Sequence, residues 1–314
     1  MRISTATIYD SAASRMGELQ NRLVKGQQQM ATGKRIMTAS DDPIAAGKVL
    51  SVSQSKSVNE QLGINRQNAR TTLSFEETAL AGVTEALQDV SELIVNAGNG
   101  AYNDSQRQDI ANALRARQQQ LIGLANSKDQ NGNYLFSGYQ INVPPFSQNA
   151  SGTSYVGDQG QRILEVAAGR TMAINDNGYD VFEGVATASG GATVKQNMFK
   201  TLDDMINLLQ TPTANNPAAQ AALQSGLKDA NTNVSTMLDR ALSVRASVGH
   251  RLKELDTLDD VGSAMDIQFA TTLSDLQDLD YTQAISKFSQ DQITLQAAQQ
   301  SFMKVTGMSL FQYL

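Results

Sequence analysis

The chain has 314 residues, with 25 Lys and Arg against 31 Asp and Glu, and a formal charge of −6. That balance argues against a protein built to coat nucleic acid, and the length is ample for two or three structural units with a buried core. Cys and Trp are absent and aromatics are 5% of residues, which excludes a disulfide framework or thiolate metal site and suits helix-on-helix packing by Leu, Met, Val and Ala.

The opening residues, Met-Arg-Ile-Ser-Thr-Ala-Thr, lack the apolar run of a secretory signal peptide, and no stretch approaches the roughly 18 apolar residues of a membrane helix. The expectation is a chain that stays in the cytoplasm or leaves by a route needing no cleaved signal. Tyr9, Met16, Leu23 and Met30 then recur at heptad spacing, with Ala12, Leu19 and Gly26 as companions, which predicts a helix with one apolar seam. Gly33 is a natural end for it. Asp42 fits an N-cap and Pro43 a first helical position. The helix so begun is weakly patterned at Ala45, Val52, Leu62 and Ala69, then strongly at Leu73, Leu80, Leu87 and Ile94, and reads as one long helix or two in line up to Gly98-Asn-Gly. Ser105-Gln-Arg-Gln matches a capping box and opens a helix through Ile110, Leu114, Leu121 and Leu124, expected to run antiparallel to its predecessor because the turn is short.

At Asn131-Gly132 the pattern changes. Gly, Asn, Pro and Tyr dominate to about Gly191, and short alternating runs appear at Asn133-Tyr-Leu-Phe-Ser-Gly, Arg162-Ile-Leu-Glu-Val and Thr171-Met-Ala-Ile, with Asn177-Gly178 as a hairpin-turn signal. Helical spacing returns at Met198, Phe199, Leu202, Met205, Ile206 and Leu209. After Thr211-Pro-Thr, Asn216-Pro217 caps the longest seam, Leu227, Val234, Ala241, Val248 and Leu255, with Leu223, Ala230, Met237, Val244 and Leu258 beside it. Gly262 and an acidic stretch are expected to loosen that seam before a last helix, whose seam is Tyr281, Phe288, Leu295 and Phe302, with Ala284, Ala298 and Val305.

These elements predict a mainly α fold of nested long antiparallel helices, a coiled-coil-like bundle contributed from both chain ends, with a small β-rich inserted domain. The expected layers are 1–42 with 268–314, 43–130 with 192–267, and the insert 131–191. The two terminal seams are suited to pair. The first forty residues carry Arg2, Arg15, Arg22, Lys25, Lys34 and Arg35, whereas Glu254 to Ser286 is acidic without Lys or Arg, and opposite charge steers such ends together more than it stabilises them. The apolar groups Met308, Leu310, Phe311, Tyr313 and Leu314 call for burial, either within the chain or in neighbouring subunits. The insert projects outward or contacts neighbours; both remain open.

Sites for chemistry are sparse. His250, the only histidine, lies in a helical run with no nucleophile beside it and reads as a surface residue. Gly33-Lys34 lacks the upstream glycine of a phosphate loop. Asp41-Asp42 offers carboxylate oxygens to a cation, but capping accounts for Asp42. Asp256, Asp259, Asp260 and Asp266 lack the order of a calcium loop and read as a solvated face. No catalytic, cofactor-binding or metal site is assigned.

Met30-Ala-Thr-Gly-Lys-Arg-Ile-Met-Thr-Ala-Ser-Asp-Asp-Pro resembles the N-terminal signature of the flagellin superfamily: a Ser/Thr-Gly pair, a basic residue, Ile, then Ala-x-Asp-Asp. Thr306-Gly-Met-Ser-Leu-Phe-Gln-Tyr-Leu is similar to the apolar C-terminus that this family buries in its filament, and Gly132-Asn-Tyr-Leu-Phe-Ser-Gly-Tyr resembles its hook–filament junction branch more than filament flagellin. The likeness is strong toward both ends and holds in outline between. It implies a non-enzymatic flagellar subunit, located outside the cell at the hook–filament junction. Family members are exported unfolded by the flagellar type III apparatus with an export chaperone. They follow hook-associated protein 1 onto the hook and offer a surface on which flagellin polymerises. Their terminal helices are disordered in the free monomer and pair on assembly. The implied subunit-packing residues are Tyr9, Met16, Leu23, Met30, Tyr281, Phe288, Leu295, Phe302, Val305, Leu310, Phe311 and Leu314. The ending Phe311-Gln-Tyr-Leu departs from the Leu-rich end of filament flagellins and the insert is small, which favours a homo-oligomeric junction subunit. A minor filament flagellin is the alternative, and a flagellin with a hydrolase insert is a third reading, against which the insert's lack of His and Cys counts.

Overall fold

A computed structural model describes residues 5–100, 102–149, 152–183, 185–189, 192–213 and 216–307. Among these the order is α1 (Thr5–Thr32), α2 (Pro43–Ala97), α3 (Asp104–Ala125), β1 (Phe146–Asn149), β2 (Gly152–Tyr155), β3 (Ile163–Ala167), β4 (Arg170–Ala173), α4 (Gly178–Phe182), β5 (Val185–Ser189), β6 (Ala192–Gln196), α5 (Met198–Gln210), α6 (Pro217–Gln277) and α7 (Tyr281–Gly307). The mainly α fold with a small β insert is the one its heptads and turn residues predict. Gly33 ends α1 with φ +68°, a conformation that costs a glycine little. Asp42 caps α2 by accepting the Ala45 N–H at 2.9 Å, and Asn216 caps α6 through the Ala219 N–H at 3.1 Å.

The chain divides into two compact units: Met1–Asn59 with Ser263–Leu314, and Glu60–Gly262. The larger unit holds nearly all of the core. Leu73, Leu80, Leu87 and Ile94 of α2, Leu114 and Leu121 of α3, Phe199 and Leu202 of α5, and Val234, Ala241, Val248 and Leu255 of α6 are buried in one cluster. Each Val, Leu, Ile or Phe among these contributes about 1.5–3 kcal/mol when fully buried. Gly82 lies against Leu124 and Asp89 pairs with Arg117 at 3.1 Å, so α3 runs antiparallel to α2.

The six strands form three antiparallel hairpins, β1–β2, β3–β4 and β5–β6, with a bulge between Glu165 and Ala167. Two-stranded ribbons are marginal alone. Here the rings of Phe146, Phe182 and Phe199 tie the insert to α5, with Phe146 5.3 Å from Phe182 and 5.1 Å from Phe199.

Several local expectations are corrected. The α3 capping box is built from Asn103 and Gln106, two residues ahead of Ser105: Asn103 Oδ1 accepts the Gln106 N–H at 2.9 Å and Gln106 Oε1 accepts the Asn103 N–H at 3.0 Å. Asn133 to Gly138 forms bends and a turn with one isolated bridge, Tyr134 to Lys128, in place of a strand, because Leu135 and Phe136 are consecutive and both buried, which an alternating ribbon with one wet face does not permit. Asn177-Gly178 makes no hairpin; Asn177 Oδ1 accepts the Asp180 N–H at 2.8 Å and caps the short α4. Gly262 does not loosen α6, which continues unbroken to Gln277. The acidic set is only partly solvated: Asp259 binds Arg66 and Arg70, Asp256 binds Arg70 at 2.7 Å, and Asp266 accepts from Asn59 at 2.8 Å.

Candidate assembly surface: the paired terminal helices

In the smaller unit, α1 and α7 lie together and run antiparallel. The Tyr9 and Phe302 rings meet edge to face at 5.2 Å, Arg22 faces Asp291 at 3.7 Å, Gly26 lies beneath Phe288, and Tyr281 donates its hydroxyl to the Met30 carbonyl at 3.0 Å. The same register sets Met16 level with Leu295 and Leu23 level with Phe288. Heptad spacing on each helix produces this seam, since it returns one face to the partner at every second turn.

A joint fixes the far end of the pair. The Arg35 N–H donates to the Gln277 carbonyl at 2.7 Å and the Leu279 N–H to the Gly33 carbonyl at 2.9 Å, while Arg35 Nη2 reaches the Leu276 carbonyl at 2.8 Å. Asp41 pins the preceding loop: its Oδ1 accepts from Lys25 Nζ at 2.6 Å and its Oδ2 from the Met37 and Thr38 N–H groups, each at 3.0 Å. The Lys25 hydrogen bond, then those backbone donors, hold the Asp41 carboxyl well below the usual carboxylate range. A depressed carboxylate contributes stability that is fully present above its unfolded value and is lost progressively as the pH falls from there through its folded value, so Asp41 holds the loop to α1 at neutral pH. The Asp41-Asp42-Pro43 signature therefore has a physical reason: Asp41 ties the loop to α1 and Asp42 starts α2. Beside the joint, Ile36, Met37, Val49 and Leu50 line a groove of about 460 Å³.

The pair is only half covered. Leu19 and Ala45 are the buried apolar side chains of this unit among the described residues. Met16, Leu23, Met30, Phe288, Leu295 and Phe302 are half-buried, and Tyr9 and Tyr281 stay 42% and 49% exposed. Outside the seam, Val24, Ile44, Leu50, Ile267, Ile285 and Ile293 face solvent. Val305 stands in the last turn of α7, but its side chain lies outside the described residues, as do Leu310, Phe311 and Leu314. Sequence reasoning missed the joint, which is built from main-chain groups and from side chains far apart in the chain; the basic-acidic contrast between Lys25–Arg35 and the end of α6 was its faint signal. Among the described residues no group of three or more His, Asp or Glu is placed to hold a metal, and no helix is long and apolar enough to cross a membrane. His250 is exposed on α6.

A family model of the bacterial flagellin N-terminal helical region matches residues 3–141. The flagellar hook-associated protein 3 of Salmonella typhimurium is 36% identical over 316 aligned positions, covering 99% of each chain. The chain belongs to the flagellar hook-associated protein 3 family. Hook-associated protein 3 of Legionella pneumophila, solved by crystallography, shares the fold: the TM-score is 0.68 at 22% identity, over 73% of this chain and 98% of that one. A flagellin of Bacillus subtilis is 25% identical over 95% of this chain and 94% of its own. The chain thus shares its N-terminal helical region with bacterial flagellins, and its role is structural and flagellar.

Proposed function

We propose that this chain is the subunit that links the hook, through hook-associated protein 1, to the flagellin filament, and that it joins the structure by burying its paired terminal helices against neighbouring copies. The observation that carries this reading is the deficit of burial in the smaller unit. Ordering a residue costs about 1–2 kcal/mol of backbone entropy, and α1 and α7 order 28 and 27 residues. Half-buried seams return less than the 1.5–3 kcal/mol of a fully buried side chain. Neighbouring subunits supply the missing cover, so assembly and ordering of the pair are one event.

On this reading the packing set is Tyr9, Met16, Leu23, Met30, Tyr281, Phe288, Leu295, Phe302, Val305, Leu310, Phe311 and Leu314, with 1–42 and 268–314 as the assembly layer, 43–130 and 192–267 as the helical core, and 131–191 as the β insert. The chain is non-enzymatic, reaches the outside of the cell through the flagellar export apparatus without a cleaved signal, and uses an export chaperone on the way. Greater identity to hook-associated protein 3 than to flagellin supports the junction over a minor filament role.

Electron microscopy of the purified chain added to isolated hooks that carry hook-associated protein 1 tests the assignment. A short, self-limited segment that then accepts flagellin is expected. Long filaments grown from this chain alone would assign it to the filament.

A further inference from the structure

Glu76 of α2 is fully buried in the larger unit. Its Oε1 accepts the main-chain N–H of Asp176 at 3.0 Å, and its Oε2 is buried with no hydrogen-bond partner. Asp176 follows β4, and its carboxylate is bound by Arg251 of α6, which also donates to the Ala173 carbonyl at 3.0 Å. Arg162, just ahead of β3, faces Asp129 and Glu76 from the insert, yet its Nε and Nη2 make no hydrogen bond. The next charges along the two helices, Glu77 and Arg245, neutralise each other at 2.6 Å. Of the two guanidinium groups at this contact between insert and helices, Arg251 binds Asp176 and neither donates to Glu76 Oε2.

An ionised Glu76 would leave a buried oxygen anion without a donor, which is strongly unfavourable. A proton on Glu76 removes that cost and turns the group into a donor toward the Asp176 carboxylate. Burial first, and then the Asp176 charge, push the Glu76 carboxyl well above the ordinary range, against the pull of Arg251.

Other polar ties of the insert to these helices, among the described residues, do not depend on such a proton. Arg66 donates to the Val166 carbonyl at 3.0 Å, Arg240 to the Asp180 carbonyl at 2.6 Å, and Arg170 pairs with Glu254 at 2.7 Å. We propose that Glu76, Asp176 and Arg251 form a proton-dependent latch, which holds the β insert against α2 and α6 while Glu76 keeps its proton and loosens as the pH rises.

The sign follows from proton counting. The docked state binds one proton more than the open state, in which Glu76 returns to an ordinary value near 4.5. Opening therefore grows by up to about tenfold per pH unit from roughly pH 5 upward, and levels off above the raised value of the docked carboxyl.

Amide hydrogen exchange on the full chain, corrected for intrinsic rates, reads this opening directly. As the pH rises from about 5, protection of Ile163–Ala173 should fall by up to about tenfold per unit before levelling off in the wild type, and stay flat in Glu76→Gln. A carbon-labelled glutamate titration of the wild type needs no variant: the Glu76 carboxyl should remain protonated after the other glutamates have ionised. Flat protection in the wild type, an equal slope in Glu76→Gln, or a Glu76 carboxyl that titrates near 4.5 would each overturn the latch.

Discussion

Gly262 is buried in α6 because the Arg66 guanidinium fills the space where a Cβ would stand, and that guanidinium is held in turn by Asp259 and the Val166 carbonyl. Gly249, in the same helix, is exposed with no atom near its missing side chain. Alanine at either position gains about 1 kcal/mol of helix propensity. At Gly262 that gain is outweighed by displacing a buried charge-assisted hydrogen bond worth about 1.5–3 kcal/mol. Gly262→Ala is therefore expected to destabilise the fold by about 1 kcal/mol, and Gly249→Ala to stabilise it by about the same amount. Denaturant midpoints of the two variants at unchanged slope check the contrast. Propensity alone gives both glycines one value, which is why the sequence suggested a weak point in α6 at Gly262. Its true role depends on an arginine nearly two hundred residues away and could not be read locally.

At the scale of elements, heptad spacing made the long helices legible, because one buried face must recur at the helical period. The pairing of α1 with α7 was legible for the same reason, with Tyr9 of one seam meeting Phe302 of the other. The joint between them was not, since backbone donors and carbonyls leave no mark in the pattern. The insert was legible as a change of composition but not in detail: Asn-Gly favours a tight turn and Asn equally favours a helix cap, and Asn177 takes the second role because Phe182 then reaches the aromatic cluster. The half-covered pair has a dynamic consequence. In the free chain, amides of Thr5–Thr32 and Tyr281–Gly307 should exchange far faster than those of α3 and α5, and should become protected once the chain is assembled on hooks. Protection of α1 and α7 in the free chain equal to that of α3 would show that the pair needs no neighbours.

For the whole molecule, the unequal distribution of apolar burial is the feature that connects sequence to role. The larger unit, Glu60–Gly262, encloses its own core, whereas the unit made from both chain ends leaves its seam half-buried and aliphatic side chains beside it facing water. On the proposed function, a subunit whose larger unit encloses its own core and whose terminal pair awaits cover suits a structure added to one copy at a time. The central claim is that neighbouring copies cover the terminal pair. Ile293 of α7 is 64% exposed, and the chain has no cysteine, so Ile293→Cys carries a unique thiol. The deciding measurement is the maleimide labelling rate of that thiol in the free chain and again after addition to hooks bearing hook-associated protein 1. Loss of most of the reactivity on assembly is the expected result; a thiol labelled as fast in the assembled subunit as in the free one would contradict the account.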